Sequence, residues 1–220
     1  MFDFDGTLVD SQWAITRVMG EAFVGAGFPA PEAARVRRVV GLRLETAIAR
    51  LLPDDRDDGD ALTEQLAADY REAFFSLHTR PDFHEPLMSG VKNALESLEH
   101  RQVFLGIATG KGRRALTTSL ERHGLSRHFV TLKTADDGPG KPHPQILQDA
   151  MAEFGIAPED TFMVGDTTFD MALAVNAGAR ALGVSWGYHA PQDLLAAGAE
   201  RVLKNFSDMN LALVGLEDRT

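Results

Sequence analysis

The chain has 220 residues, 44% of them hydrophobic, enough to bury a sizeable core and better suited to a large domain with a smaller insert than to one minimal domain. A formal net charge of −10 argues against nucleic acid or an anionic membrane as the main partner, because both reward a basic surface. The lack of cysteine excludes disulfides, thiolate metal sites and cysteine nucleophiles and fits a reducing compartment, with the cytoplasm the expected location; no uncharged apolar run is long enough to span a membrane and no basic signal-peptide region opens the chain.

The first stretch, Met1-Phe2-Asp3-Phe4-Asp5-Gly6-Thr7-Leu8-Val9-Asp10, places two carboxylates two residues apart where a short apolar strand meets a glycine turn. Strand geometry points Asp3 and Asp5 to the same side, where they would repel unless a cation or phosphate group offsets them. One could act as a nucleophile and the other as acid and base. Only two residues precede Asp3, although a central strand has about five or six, so residues are expected to be missing upstream, either because the natural start lies a few codons earlier or because the chain was trimmed.

Helical spacing of Ile15, Val18, Met19, Ala22, Phe23 and Ala26 predicts a helix over Gln12–Phe28, with Ser11 as N-cap. A second is predicted over Pro31–Val40, ended by Gly41, and a third over Leu44–Leu52, stopped by Pro53. The acidic run 54–60 reads as a solvated loop. A longer helix follows, with Leu62, Leu66, Tyr70, Ala73, Phe74 and Leu77 on one face, and Pro81 and Pro86 mark a linker.

From Gly90 the pattern alternates: a helix over Val91–Leu98, a buried strand over Val103–Ala108, then strands at Phe129–Leu132, Thr161–Val164, Ala181–Val184 and Arg201–Leu203, with helices between. One early strand, about seventy helical residues and then a run of strands imply an α/β fold. The expected architecture is a Rossmann-like parallel sheet flanked by helices (residues 1–11 and 87–220) with an inserted α-helical cap (residues 12–86).

Ligands of open parallel sheets bind beyond the strands' C-terminal ends, so the residues following each strand are the candidates. They are Asp3 and Asp5 after the first; Thr109-Gly110-Lys111 after Ala108; Gly140-Lys141-Pro142 in the loop after Leu132; and Gly165-Asp166-Thr167-Thr168-Phe169-Asp170 after Val164. A hydroxyl with backbone N–H groups, a lysine and four carboxylates suits a phosphate held beside a divalent cation.

With these four motifs in order, the sequence resembles the haloacid dehalogenase superfamily over nearly its whole length. It is most similar to the phosphoglycolate-phosphatase-like branch, whose helical cap follows the first motif. The resemblance implies a Mg²⁺-dependent phosphomonoester hydrolase acting on a small phosphorylated metabolite, as monomer or homodimer. Asp3 would attack phosphorus and become an aspartyl phosphate; Asp5 would protonate the leaving oxygen, activate the water, and lend its main-chain carbonyl to the metal. Thr109 and the Gly110 amide would hold phosphoryl oxygens, Lys141 would neutralise charge, Asp166 would ligate Mg²⁺ and Asp170 would support the metal site.

Gly106-Ile107-Ala108-Thr109-Gly110-Lys111-Gly112 is not a Walker A loop, having three residues between its glycines and no Ser or Thr after the lysine; Lys111 reads as a structural helix-start lysine. A dehalogenase has no need of Asp5. A Schiff-base mechanism of the phosphonoacetaldehyde hydrolase kind needs a cap lysine, and the first lysine is Lys92. A β-phosphoglucomutase-like enzyme would carry a histidine near Ser11-Gln12-Trp13-Ala14. That branch, a pyrophosphatase and a receiver-like phosphoacceptor without turnover are the alternatives. Arg43, beside Gly41-Leu42, is the candidate cap contact to an anionic substrate group. His143 is expected to fix a turn, and Trp186, Tyr188 and His189 to pack a loop.

Overall fold

The computed structural model describes residues 1–53, 59–78, 80 and 83–209. Four helices come first: α1 (Gln12–Gly25), α2 (Ala33–Arg37), α3 (Leu44–Leu51) and α4 (Gly59–His78). They share a core of their own, built from Val18, Phe23, Val36, Ile48, Leu66 and Phe74 among others. The α1 helix stops short of its predicted Phe28 end, where the Phe28 N–H bonds back to the Phe23 carbonyl. Helix α2 covers only the middle of its predicted span, because bonds from Arg38 and Val39 to carbonyls three residues back tighten the chain into turns. Residues 54–58 of the acidic run and Pro81 lie outside the described residues; Gly59 and Asp60 open α4 rather than belong to a loop.

The remainder alternates: α5 (Val91–His100), β1 (Gly106–Ala108), α6 (Arg113–His123), β2 (Thr131–Lys133), α7 (Gln145–Phe154), β3 (Phe162–Gly165), α8 (Thr168–Ala177), β4 (Arg180–Val184), α9 (Pro191–Ala196) and β5 (Arg201–Leu203). All the strand pairs, β1 with β2, β3 with β4 and β4 with β5, are parallel. The first residues join the two halves: Phe2 forms parallel bridges to both Ile107 and Val164. Phe2 N–H bonds to the Gly106 carbonyl and Asp3 N–H to the Val164 carbonyl, each at 2.9 Å. The resulting order is β2-β1-(residues 1–3)-β3-β4-β5, and the chain reverses its lateral direction beside Asp3, the kind of switch point where open α/β sheets bind ligands.

Strand β1 is shorter than the predicted 103–108. Phe104 is 60% exposed, stacking on Phe154 at 5.6 Å between ring centroids, and pairing begins only at Leu105, whose carbonyl accepts from the Val130 N–H. The sheet's two faces are covered by separate clusters, one including Phe4, Leu95, Ile107 and Leu120, the other Leu147, Met163, Leu173 and Leu194. No helix among the described residues is long and apolar enough to cross a membrane.

Candidate active site

The turn after the central strand is set by Gly6, whose φ of +82° lies in the left-handed region. Any Cβ there would overlap the Asp166 carboxylate and the Tyr188 ring. This allows two strand ends and the start of α8 to meet: one carboxylate oxygen each from Asp3, Asp166 and Asp170 lies within 4.8 Å of the others, and all three residues are buried. Asp3 Oδ1 accepts from the Phe4 N–H at 2.7 Å and faces Lys141 Nζ at 2.9 Å. Asp3 Oδ2 is buried without a hydrogen-bond partner, a costly state for a carboxylate oxygen unless a ligand completes it.

The other two acids are held more fully. Asp166 Oδ1 accepts from the Thr7 hydroxyl at 2.7 Å and its Oδ2 from the Tyr188 N–H at 2.8 Å. Asp170 Oδ2 accepts from the Thr167 N–H and hydroxyl, closing a capping box at the start of α8, while its Oδ1 pairs with Lys141 Nζ at 2.5 Å. One buried ammonium thus faces three buried acids, two fewer positive charges than full ionisation would need. Burial raises the Asp3 carboxyl to about 7, with Asp170 adding to the rise and Lys141 opposing it. Burial likewise pushes Asp166 well above its usual range, helped by Asp170 and Asp3. Burial would lower Lys141, but Asp170 and Asp3 outweigh it and raise the ammonium. The trio has the all-oxygen donor set, the charge and the orphaned oxygen that a hard divalent cation would satisfy.

Asp5 lines the same cavity as Asp3. The strand ends between them, Asp5 bridges to Val9, and its Oδ1 accepts from Lys111 Nζ at 2.9 Å. The Asp5 side chain is not part of the acidic trio. Lys111 departs from the helix-start role read from sequence: α6 begins at Arg113, and the Lys111 side chain is 6% exposed, turned inward. Its Nζ also lies 3.6 Å from Glu85 Oε1. Burial opposes charge on both partners, yet Asp5 and Glu85 raise the Lys111 ammonium, and Lys111, with His123, brings Glu85 down to about 2.

A cavity of about 320 Å³ opens on this centre, with Asp3, Asp5, Thr109, Gly110, Arg43 and Tyr70 in its lining. Thr109 is buried; its N–H bonds to the Lys133 carbonyl, extending the sheet by one residue, and its hydroxyl accepts from the Lys111 N–H at 3.3 Å. Gly110 lies directly under the cap: a Cβ would fall 2.6 Å from the Leu42 carbonyl oxygen and 2.7 Å from that of Gly41. Arg43 reaches the cavity, but its guanidinium donates to the Gly138 carbonyl at 3.1 Å and lies 3.7 Å from Glu45, which also pairs with Arg71.

Ser11 occupies the N-cap position of α1 without capping it; its hydroxyl lies 3.1 Å from that of Tyr188. Trp186 and His189 pack the loop as expected, through bonds to the Thr7 carbonyl and the Thr168 N–H, and His143 Nδ1 accepts from the Gln145 N–H in a turn. Thr7 and Glu85 are not among the site residues expected from sequence, Tyr188 is expected only to pack a loop, and Lys111, though in the candidate loop after Ala108, is read there as structural. Thr7, in the stretch following the paired aspartates, carries a local signal; Glu85 carries none.

Residues 1–184 match the family model described as haloacid dehalogenase-like hydrolase. Curated relatives include "Probable phosphatase IndB" of Dickeya dadantii, 32% identical over 95% of this chain and 90% of its own length. A phosphoglycolate phosphatase of Photorhabdus laumondii is 31% identical, over 98% and 91%. Among solved structures, a haloacid dehalogenase-like hydrolase from Bacteroides fragilis superposes with a TM-score of 0.85 at 24% identity, covering 94% of this chain and 97% of that one, a likeness of fold. By the family match and these relatives, the chain belongs to the haloacid dehalogenase-like hydrolase family, as a phosphatase-type enzyme on the branch of the phosphoglycolate phosphatases.

Proposed function

We propose that the protein hydrolyses a small phosphomonoester of the 2-phosphoglycolate kind, with Mg²⁺ as cofactor and Asp3 as the covalent nucleophile. The observation that supports this most is the orphaned Asp3 Oδ2, buried at a strand end while Lys141 and the Phe4 N–H hold the other oxygen. In the proposed reaction an Asp3 oxygen forms a bond to phosphorus as the bond to the ester oxygen breaks. Asp5 gives its proton to the leaving alkoxide. Asp5 then takes a proton from the water that attacks phosphorus, and Asp3 is released with inorganic phosphate. Thr109 and the Gly110 amide would bind phosphoryl oxygens. Asp3, Asp166, Asp170 and the Asp5 carbonyl would hold Mg²⁺, which when bound supplies positive charge toward the phosphoryl oxygens. Residues 12–86 are proposed as a cap that excludes water and selects the leaving group. A screen of phosphorylated metabolites with Mg²⁺ tests the substrate class; turnover confined to non-phosphate esters would refute it.

Metal removal gives a second test with a stability readout. Asp3 has a raised pKa in the ion-free protein, about 7, so its contribution to stability is fully present below its unfolded value and is lost as pH rises through about 7. Mg²⁺ competes with those protons and should stabilise the fold more as pH rises over that window. Chelation should abolish turnover; a melting temperature indifferent to millimolar Mg²⁺ at pH 8 would count against the site.

Arg43 tests the cap. Arg43→Ala should raise KM for 2-phosphoglycolate by a factor worth ~1–3 kcal/mol, the range for a hydrogen bond to a charged group, and change an aryl phosphate much less. Equal losses on both substrates would make its bond to Gly138 the whole of its role.

A further inference from the structure

The proposed reaction gives Lys111 no step, yet its side chain sits at the centre of a buried ionic network joining three parts of the chain. Its ammonium is 2.9 Å from Asp5 Oδ1 and 3.6 Å from Glu85 Oε1. It lies over the ring of Phe74 on α4 at 4.6 Å and that of Phe4 on the central strand at 5.6 Å. Glu85 belongs to the segment that returns from α4 to α5, and its side chain is fully buried. Its second oxygen faces His123 Nε2 at 3.7 Å, and Ser119 and His123 join Lys111 in favouring its ionised form.

A buried ion pair is costly to keep for stability alone, since packed apolar groups of the same volume usually do as well or better. The arrangement has a geometric result. An ammonium carries three donors; here it is fixed between two carboxylates and two ring faces, so its direction toward Asp5 is set by the surroundings and not by Asp5. It holds Asp5 by Oδ1 only, and Oδ2 has no protein partner among the described residues.

We propose that Lys111 is the positioning residue of Asp5 and that Glu85 holds Lys111 in place. The inference rests on the reading of Asp5 as the proton carrier. Tethering one oxygen presents the other to the ester oxygen and later to water, so the step most exposed to a loose Asp5 is hydrolysis of the aspartyl phosphate. Because Glu85 lies on the cap's return segment and Phe74 on a cap helix, the orientation of Asp5 is set partly by cap residues.

The test uses the full chain with Mg²⁺, an activated aryl phosphate and rapid-quench measurement of phosphoenzyme. Lys111→Met keeps an unbranched side chain and removes the charge. It should slow phosphoenzyme hydrolysis about 100-fold, within the range of general acid–base contributions, so that phosphoenzyme accumulates in the steady state while substrate affinity is retained. Glu85→Gln, which keeps shape and polarity, should slow the same step about tenfold and carries the test if Lys111→Met does not fold. A weakened affinity with normal hydrolysis of the phosphoenzyme would overturn the inference by making Lys111 a substrate contact, as would wild-type partitioning in both variants. A wild-type protein that never forms phosphoenzyme would remove the proposed reaction and this inference together, whereas normal phosphoenzyme in wild type with unchanged variants removes the inference alone.

Discussion

Asp3→Asn is expected to reduce turnover by at least about four orders of magnitude, the scale seen when a covalent nucleophile is removed, and to leave no phosphoenzyme. The substitution keeps the side chain's shape and the room for its contact with the Phe4 N–H, so a folding defect does not explain the loss. It also removes one negative charge from a centre that holds three acids against one ammonium. The ion-free variant should therefore be no less stable than wild type above pH 7 and should gain less from Mg²⁺. Asp5→Asn should fail differently, still forming phosphoenzyme from an activated aryl phosphate and hydrolysing it slowly. Phosphoenzyme in Asp3→Asn would refute the assignment of nucleophile.

Lys141→Met should carry the largest stability cost. The Lys141 side chain is fully buried and bonded to both Asp3 and Asp170, and removing one partner of a buried ion pair costs about 3–5 kcal/mol, because the remaining charges lose their compensation. That penalty should be greatest without a divalent ion and at high pH, where the acids are ionised, and Mg²⁺ should recover part of it. Turnover should fall as well, since nucleophile and phosphoryl group would lose the positive charge they share. Urea unfolding with and without Mg²⁺ measures both terms; equal stability of variant and wild type in the ion-free state would show that the acids are protonated without help from Lys141.

The sequence showed where chemistry gathers because each candidate follows an apolar run that forms a strand: Asp3 after Phe2, Thr109 after Ala108, Asp166 after Gly165. It was less informative wherever a neighbour distant in the chain decides the outcome. The parity of Asp3 and Asp5 predicted side chains on one side, and both line one cavity, but parity gave no sign that Asp5 pairs with Lys111 while Asp3 joins Asp166 and Asp170. Lys111 itself, beside a helix start, gave no local sign of Glu85, which arrives from the far end of the cap. Tyr188 contributes through its backbone N–H, which side-chain identity does not report. Residues 103 and 104 have strand composition but pairing starts at Leu105, and Phe104 lies on the surface.

The placement of residues 1–3 between β1 and β3 has a consequence for synthesis on the ribosome. Thr7 and Asp166 are 159 residues apart in the chain and 2.7 Å apart in the fold, so residues 1–7 receive their last partners only after β3 has been made. At typical elongation rates of 5–20 residues per second that interval is roughly 8–30 s. The four cap helices, complete by His78, can form meanwhile. The strand that carries Asp3 can pair with β1 but must wait for its other edge, and nascent chains arrested before residue 160 should show exchange protection in α1–α4 and none at Asp3, whose N–H bonds to the Val164 carbonyl.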